Sequence, residues 1–140
     1  MPSIITDIKG GSDMRKDTCY TYFMITGCTD PEALLGELEV TPHNVTEREA
    51  GKSYDIKIGL CETYSLDVND MYRVTLAELF GKEETLARLK QDLGLDYYLI
   101  SVPELYRDND GAHQILGLDH DIIEFIYLTK TVHDIDYYVL

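Results

Sequence analysis

The run Cys19-Tyr20-Thr21-Tyr22-Phe23-Met24-Ile25-Thr26 is rich in aromatic and β-branched residues and stops at Gly27, which predicts a central strand buried on both faces. Tyr54, Ile56, Ile58 and Leu60 alternate with Asp55, Lys57, Gly59 and Cys61, the period-two pattern of a strand with one buried face. Leu95 to Val102 reads as a further strand closed by Pro103, and Ile135 to Leu140 as a final one. Residues 43–52 are polar and suit a short edge strand.

Between these runs the spacing changes to three and four. Ala33, Leu34, Leu35 and Leu38 form the apolar stripe of a short helix, started by Asp30 as cap with Pro31 at the first position, or by Thr29 and Glu32 as a capping box. Thr41-Pro42 ends it, because a residue before proline avoids helical geometry. Met71, Val74, Leu79, Leu86, Leu89 and Leu93 predict a long helical stretch capped by Asn69 or Asp70, interrupted at Gly81 and ended by Gly94. Asp108-Asn109-Asp110-Gly111 is a turn, and Asp119 caps a helix carrying Ile122, Ile123, Phe125, Ile126 and Leu128. The order of elements predicts an α+β fold: a ferredoxin-like antiparallel or mixed sheet with helices on one face and a C-terminal helix-strand addition. Residues 1–17 read as an N-terminal arm or short strand, and residues 18–140 as a single domain.

Several of these segments, taken together, resemble the bacterial DUF4279 family of uncharacterised domains. They are Tyr22 to Gly27 leading into Asp30 to Gly36, the Thr41-Pro42 pair, Gly51-Lys52 before a strand, and Ile122-Ile123-Glu124-Phe125 followed by Asp134 to Tyr138. The resemblance covers the chain from Tyr20 onward and implies a fold, with no catalytic residues to carry over. Two features depart from that family's pattern: the chain has no tryptophan, and Gly36-Glu37-Leu38 stands where a tight Leu-Gly helix end is usual.

Charge narrows the choice of partner. Twenty-six acidic against 12 basic residues give a formal net charge of −14, so there is no basic excess to displace counterions from a phosphate backbone, and nucleic acid is excluded as a partner. The simpler reading of the acidity is solubility; the sharper one is electrostatic steering toward a basic protein. No apolar run reaches the ~20 residues that span a bilayer, and the first residues have no basic or long apolar leader, so a cytoplasmic protein away from membranes is expected. Three cysteines without C-x-x-C spacing, Cys19, Cys28 and Cys61, suit reduced thiols in the core.

The motifs of chemistry fail one by one. Ala50-Gly51-Lys52-Ser53 lacks the first glycine of a phosphate-binding loop, Thr46 standing in its place. Asp108 to Gly111 offers no acidic ligand at the first and last positions of a calcium loop. His120 and Glu124 share a helix face and are the weak candidates for a metal, against the simpler reading of acidic residues complementing a helix N-terminus. Asp134 and Asp136 alternate on one strand face like solvent-facing carboxylates. No catalytic residue and no cofactor is expected.

Eleven tyrosines remain as the second prominent feature. Tyrosine buries a ring and presents a hydroxyl, so Tyr97, Tyr98 and Tyr138, with Asp134 and Asp136, form the candidate interaction surface, against the simpler reading of tyrosines half-buried in the sheet under helices. The expectation is a non-enzymatic acidic protein-interaction module, an immunity-type inhibitor among its forms, that binds a basic protein. The alternative is a small-ligand-binding regulatory domain, and both a monomer and a dimer are compatible with the sequence.

Overall fold

A computed structural model describes residues 17–63, 67–105 and 117–139. Among these residues the order is β1 (Thr18–Cys28), α1 (Pro31–Leu38), β2 (Asn44–Glu49), β3 (Ser53–Thr63), α2 (Val68–Thr75), α3 (Glu83–Leu93), β4 (Asp96–Leu105), α4 (His120–Thr129), β5 (Val132–Ile135) and β6 (Tyr138–Val139). The fold is α+β, with one mixed six-stranded sheet in the order β2-β3-β1-β4-β5 and β6 paired to the far end of β4. β1 pairs antiparallel with β3 and β4, as β2 does with β3, whereas β5 and β6 run parallel to β4. A parallel neighbour needs a crossover, and α4 supplies it between β4 and β5.

β1 shows how the sequence sets two environments. Its odd-numbered residues Cys19, Thr21, Phe23 and Ile25 are buried, and its even-numbered residues Tyr20, Tyr22, Met24 and Thr26 are half-buried, as successive side chains leave opposite faces of a strand. The strand does not stop at Gly27: that residue takes a positive φ of 83°, the register against β3 shifts between Ile25 and Cys28, and Cys28 still belongs to the strand. A bulge, rather than an end, is what the glycine provides.

Capping geometry decides where the helices begin. Asp30 accepts a hydrogen bond from the Ala33 amide at 3.2 Å, with Pro31 as the first helical residue, so aspartate and not Thr29 is the cap. α2 starts two or three residues earlier than Asn69 or Asp70 would place it, because Asp67 is the cap and its carboxylate accepts from the Asn69 and Asp70 amides. The long helical stretch is two helices: α2 ends at Thr75, and Leu76 and Leu79 turn fully inward before α3 begins at Glu83. β4 passes through Pro103, which falls in the gap between β5, paired as far as Ser101, and β6, paired from Glu104. Of the final strand expected over 135–140, only Tyr138–Val139 among the described residues forms β6, and β5 lies ahead of it at Val132–Ile135, with Asp136 and Tyr137 between them. The arm at 1–16 and the turn at 108–111 lie outside the described residues.

One core joins the odd side chains of β1 to all four helices. Phe23 and Ile25 pack with Leu34 and Leu38 of α1, Tyr72 of α2, Leu86 and Leu89 of α3, and Ile122 and Phe125 of α4. Phe125 meets Phe23 edge-on at a centroid distance of 6.0 Å and Phe80 at 5.8 Å, a geometry that aligns ring edges with the negative faces of their neighbours. Gly59 of β3 is required for the approach of α2. It has a φ of +69°, and a Cβ there would stand 2.1 Å from the Thr75 carbonyl oxygen.

Candidate interaction surface

Register places the second face of the sheet residue by residue, since directly paired residues project to the same side. Tyr20 is opposite Val102 and Glu62, Tyr22 opposite Ile100, and Met24 opposite Tyr98 and Lys57. Across β4, Tyr98 pairs with Val132, Ile100 with Asp134, and Glu104 with Tyr138. Tyrosines from β1, β4 and β6 therefore share one face with carboxylates from β3, β4 and β5.

Of the residues expected to form the surface, Tyr98, Asp134, Asp136 and Tyr138 are brought together here and Tyr97 is not. Tyr97 points the other way, is 0% exposed, and donates a hydrogen bond to the Leu86 carbonyl at 2.7 Å. Its ring packs on Phe23 at 5.5 Å, and burial pushes its phenol well above the ordinary range. Neighbours in a strand cannot both face one surface, so Tyr97 belongs to the core and Tyr98 to the face. Tyr20 and Tyr22 take its place, stacked at 6.2 Å with planes 16° apart. The signal for them was present as alternation along β1, hidden by reading that strand as buried on both sides.

The surface concentrates negative potential. Burial raises the Tyr20 phenol, and Glu104, Tyr138, Asp136 and Glu62 push it in the same direction. Burial likewise raises Tyr22, followed by Tyr20, Asp136, Asp134 and Tyr138. Each of these groups resists a second negative charge beside it. A cation is already drawn in: Lys57 Nζ lies 4.3 Å from the centre of the Tyr22 ring, a cation–π contact.

Arginine bridges some of the other carboxylates. Arg73 bridges Asp70, Asp119 and Asp121, tying α2 to the start of α4, and holds the Asp121 carboxyl below its usual range. Arg88 bridges Glu37 and Asp92 among the helices, whereas Arg48 bridges Asp55, which lies two residues from Lys57 along β3 and so on the tyrosine face. Glu62, Glu104, Asp134 and Asp136 have no basic ion-pair partner among the described residues. The Glu104 carboxylate accepts from the Thr18 hydroxyl at 2.9 Å, and that of Asp136 from the Tyr138 hydroxyl at 3.4 Å.

The other candidates are scattered. His120 and Glu124 are both exposed on α4, and among the described residues no group of three or more histidine, cysteine or acidic side chains is placed to hold a metal. Asp119, at the cap position of α4, makes no side-chain cap and serves Arg73 instead. Gly51 and Lys52 form the tight turn between β2 and β3, closed by a 2.6 Å bond from the Lys52 amide to the Glu49 carbonyl. A phosphate-binding loop would lead into a helix at that point. Cys19 and Cys28 are buried and Cys61 is half-buried, with no disulfide among the described residues.

Two open clefts border α3. One, of about 360 Å³, lies between α1 and α3 with Cys28, Asp30 and Arg88 in its lining. The other, of about 410 Å³, lies at the ends of α3 and α4 beside Lys90, Gly94 and Lys130. Among the described residues no helix is long and apolar enough to cross a membrane. In comparisons with known proteins, the chain matches no family model, no curated protein and no solved structure.

Proposed function

We propose that the protein is a non-enzymatic acidic interaction module whose tyrosine-bearing sheet face binds a basic protein. The observation that carries this reading is the gathering of carboxylates around a stacked pair of tyrosine rings on one sheet face. Glu62, Glu104, Asp134 and Asp136 surround the Tyr20–Tyr22 stack without a basic ion-pair partner among the described residues, and Lys57 is engaged with the Tyr22 ring. Exposed carboxylates cost little in water, but a face of aromatic rings with like charges gathered around it is relieved by a cationic partner. The four strands β1 to β4, in the order β2-β3-β1-β4, fit a ferredoxin-like arrangement with its helices on one face. The other face is then left to the partner. A role as an immunity-type inhibitor and a place in the DUF4279 family both fit this arrangement, the latter resting on the segments from Tyr22 to Tyr138 quoted above.

The test is capture from native-host lysate with three baits: the wild type, an Asp134→Lys/Asp136→Lys variant, and a Glu84→Lys control on the exposed side of α3. A basic protein held by the wild type and the control, released by salt and lost from the sheet-face variant, supports the reading. Equal retention by all three baits sinks it.

The two clefts support a second reading, a regulatory domain for a small ligand, since both exceed the roughly 300 Å³ at which ligand pockets begin. Their walls are largely committed: Arg88 is bridged to Glu37 and Asp92, and Lys90 donates to the Leu95 carbonyl. Thermal shifts across a metabolite panel test it, with a stabilising hit weakened by Arg88→Ala expected for the first cleft.

A further inference from the structure

The two edges of the sheet are not alike. At one edge β2, Asn44–Glu49, is exposed throughout and carries charges of both signs, with Arg48 bridged to Asp55 of β3. Mixed charge is a common defence of an open edge. At the other edge β5 pairs with β4 on one side only, and among the described residues no backbone hydrogen bond reaches its outer side. That edge has no lysine, arginine or proline from Val132 to Val139. It exposes Val132, Tyr137, Tyr138 and Val139, each at 48% or more, and its fixed charges are the carboxylates of Asp134 and Asp136.

We propose that an extended cationic segment of the partner adds to the sheet as a further strand along β5. The inference rests on the reading of the tyrosine face as the binding surface and says how the partner reaches it. A strand beside β5 continues the alternation of the sheet: every second side chain lies next to Val132 and Asp134 on the tyrosine face, and the others next to His133 and Ile135. Basic residues on the first set are drawn to Asp134 and Asp136, and apolar residues on the second extend the core side. The same charges select against a second copy of this chain, since pairing β5 with itself brings aspartates together on two chains of net charge −14 each. The occupant is therefore a strand of alternating basic and apolar residues.

The test uses two blocked eight-residue peptides of alternating arginine and valine, one ordinary and one N-methylated at every peptide nitrogen, added to the full chain. The methylated peptide keeps the charge and the valines but has no amide donors for a ladder. The ordinary peptide is expected to slow amide exchange in β5 and to bind more tightly by on the order of tenfold or more, the worth of a few backbone hydrogen bonds. Asp134→Lys/Asp136→Lys should remove that binding while leaving the thermal unfolding transition cooperative. Equal binding of both peptides, with the Tyr20 and Tyr22 resonances shifted and β5 exchange unchanged, overturns strand addition and leaves the face reading intact. Protection at β2 instead of β5 also overturns it. No response of β5 or of the tyrosines to either peptide overturns both readings.

Discussion

The Tyr72 hydroxyl lies 2.7 Å from His133 Nε2, joining α2 to β5 beneath the edge of the sheet. The rings meet edge-on at 5.4 Å, and burial both raises the Tyr72 phenol and lowers the His133 imidazole. Asp134, next in the chain, pushes His133 the other way without reversing the shift. Ser101 stands close enough to favour the Tyr72 phenolate slightly, yet its buried Oγ makes no hydrogen bond of good geometry.

A pH dependence follows from this pair. A histidine with a depressed folded pKa binds its proton first in the unfolded chain, at an ordinary pKa of about 6.5. Its contribution to stability is thus complete above that pH and is lost as the pH falls towards the folded value. The denaturation midpoint should drop as the pH falls below about 6.5, the ordinary histidine value. His133→Gln, which retains an acceptor for Tyr72, should flatten that segment of the curve. An unchanged slope in the variant would remove His133 as its source.

Gly59→Ala is expected to be among the most damaging single changes. The added Cβ meets a backbone carbonyl of α2, which cannot swing aside like a side chain, and the positive φ adds strain. The loss should be about 2–4 kcal/mol in a urea or guanidinium titration. Gly36→Ala, where no atom lies within 4 Å of the new Cβ, should be neutral or slightly stabilising.

Adjacent tyrosines should separate stability from binding. Tyr97→Phe removes the bond to the Leu86 carbonyl within the core and should cost about 1–2 kcal/mol, with no change in retention of a basic partner. Tyr22→Leu keeps apolar bulk but removes the π face under Lys57, so it should weaken partner binding several-fold by surface plasmon resonance with little effect on the melting temperature. The reverse pattern would move the binding face to the helix layer.

Arg73 should matter in a salt-dependent way. Its guanidinium holds three carboxylates from α2 and α4 in an exposed setting, where screening weakens such pairs. Arg73→Gln should lower the melting temperature at low ionic strength, and the difference from the wild type should shrink by 1 M salt. A constant difference would point to packing of the arginine stem instead.

Local chemistry made some of this legible from the residues alone. Alternation and β-branched runs located the strands, and Asp30 with Pro31 announced α1, because strand period and helix capping depend on side chains a few residues apart. The caps and breaks that failed were decided elsewhere. Asp67 displaced Asn69 and Asp70 as a cap while Asn69 turned its side-chain amide to the Gly117 carbonyl, and Asp119 gave up capping to bind Arg73. Neither contact is visible within one segment.

The candidate surface divides along the same line. Composition by itself determined an acidic, tyrosine-rich chain without a motif of catalysis, and alternation determined that Tyr97 and Tyr98 must face opposite ways. Which of the two faces the core, and that Tyr20 and Tyr22 join Tyr98, Tyr138, Asp134 and Asp136 on one surface, was decided by strand order and register. Those depend on pairing between β1 and β4, some 80 residues apart in the chain, and on which face of the sheet buries the most apolar area against the helices. A one-residue slip would exchange the two faces. The tertiary structure alone settles that choice, because burial is a property of the whole assembly of elements and not of any strand within it.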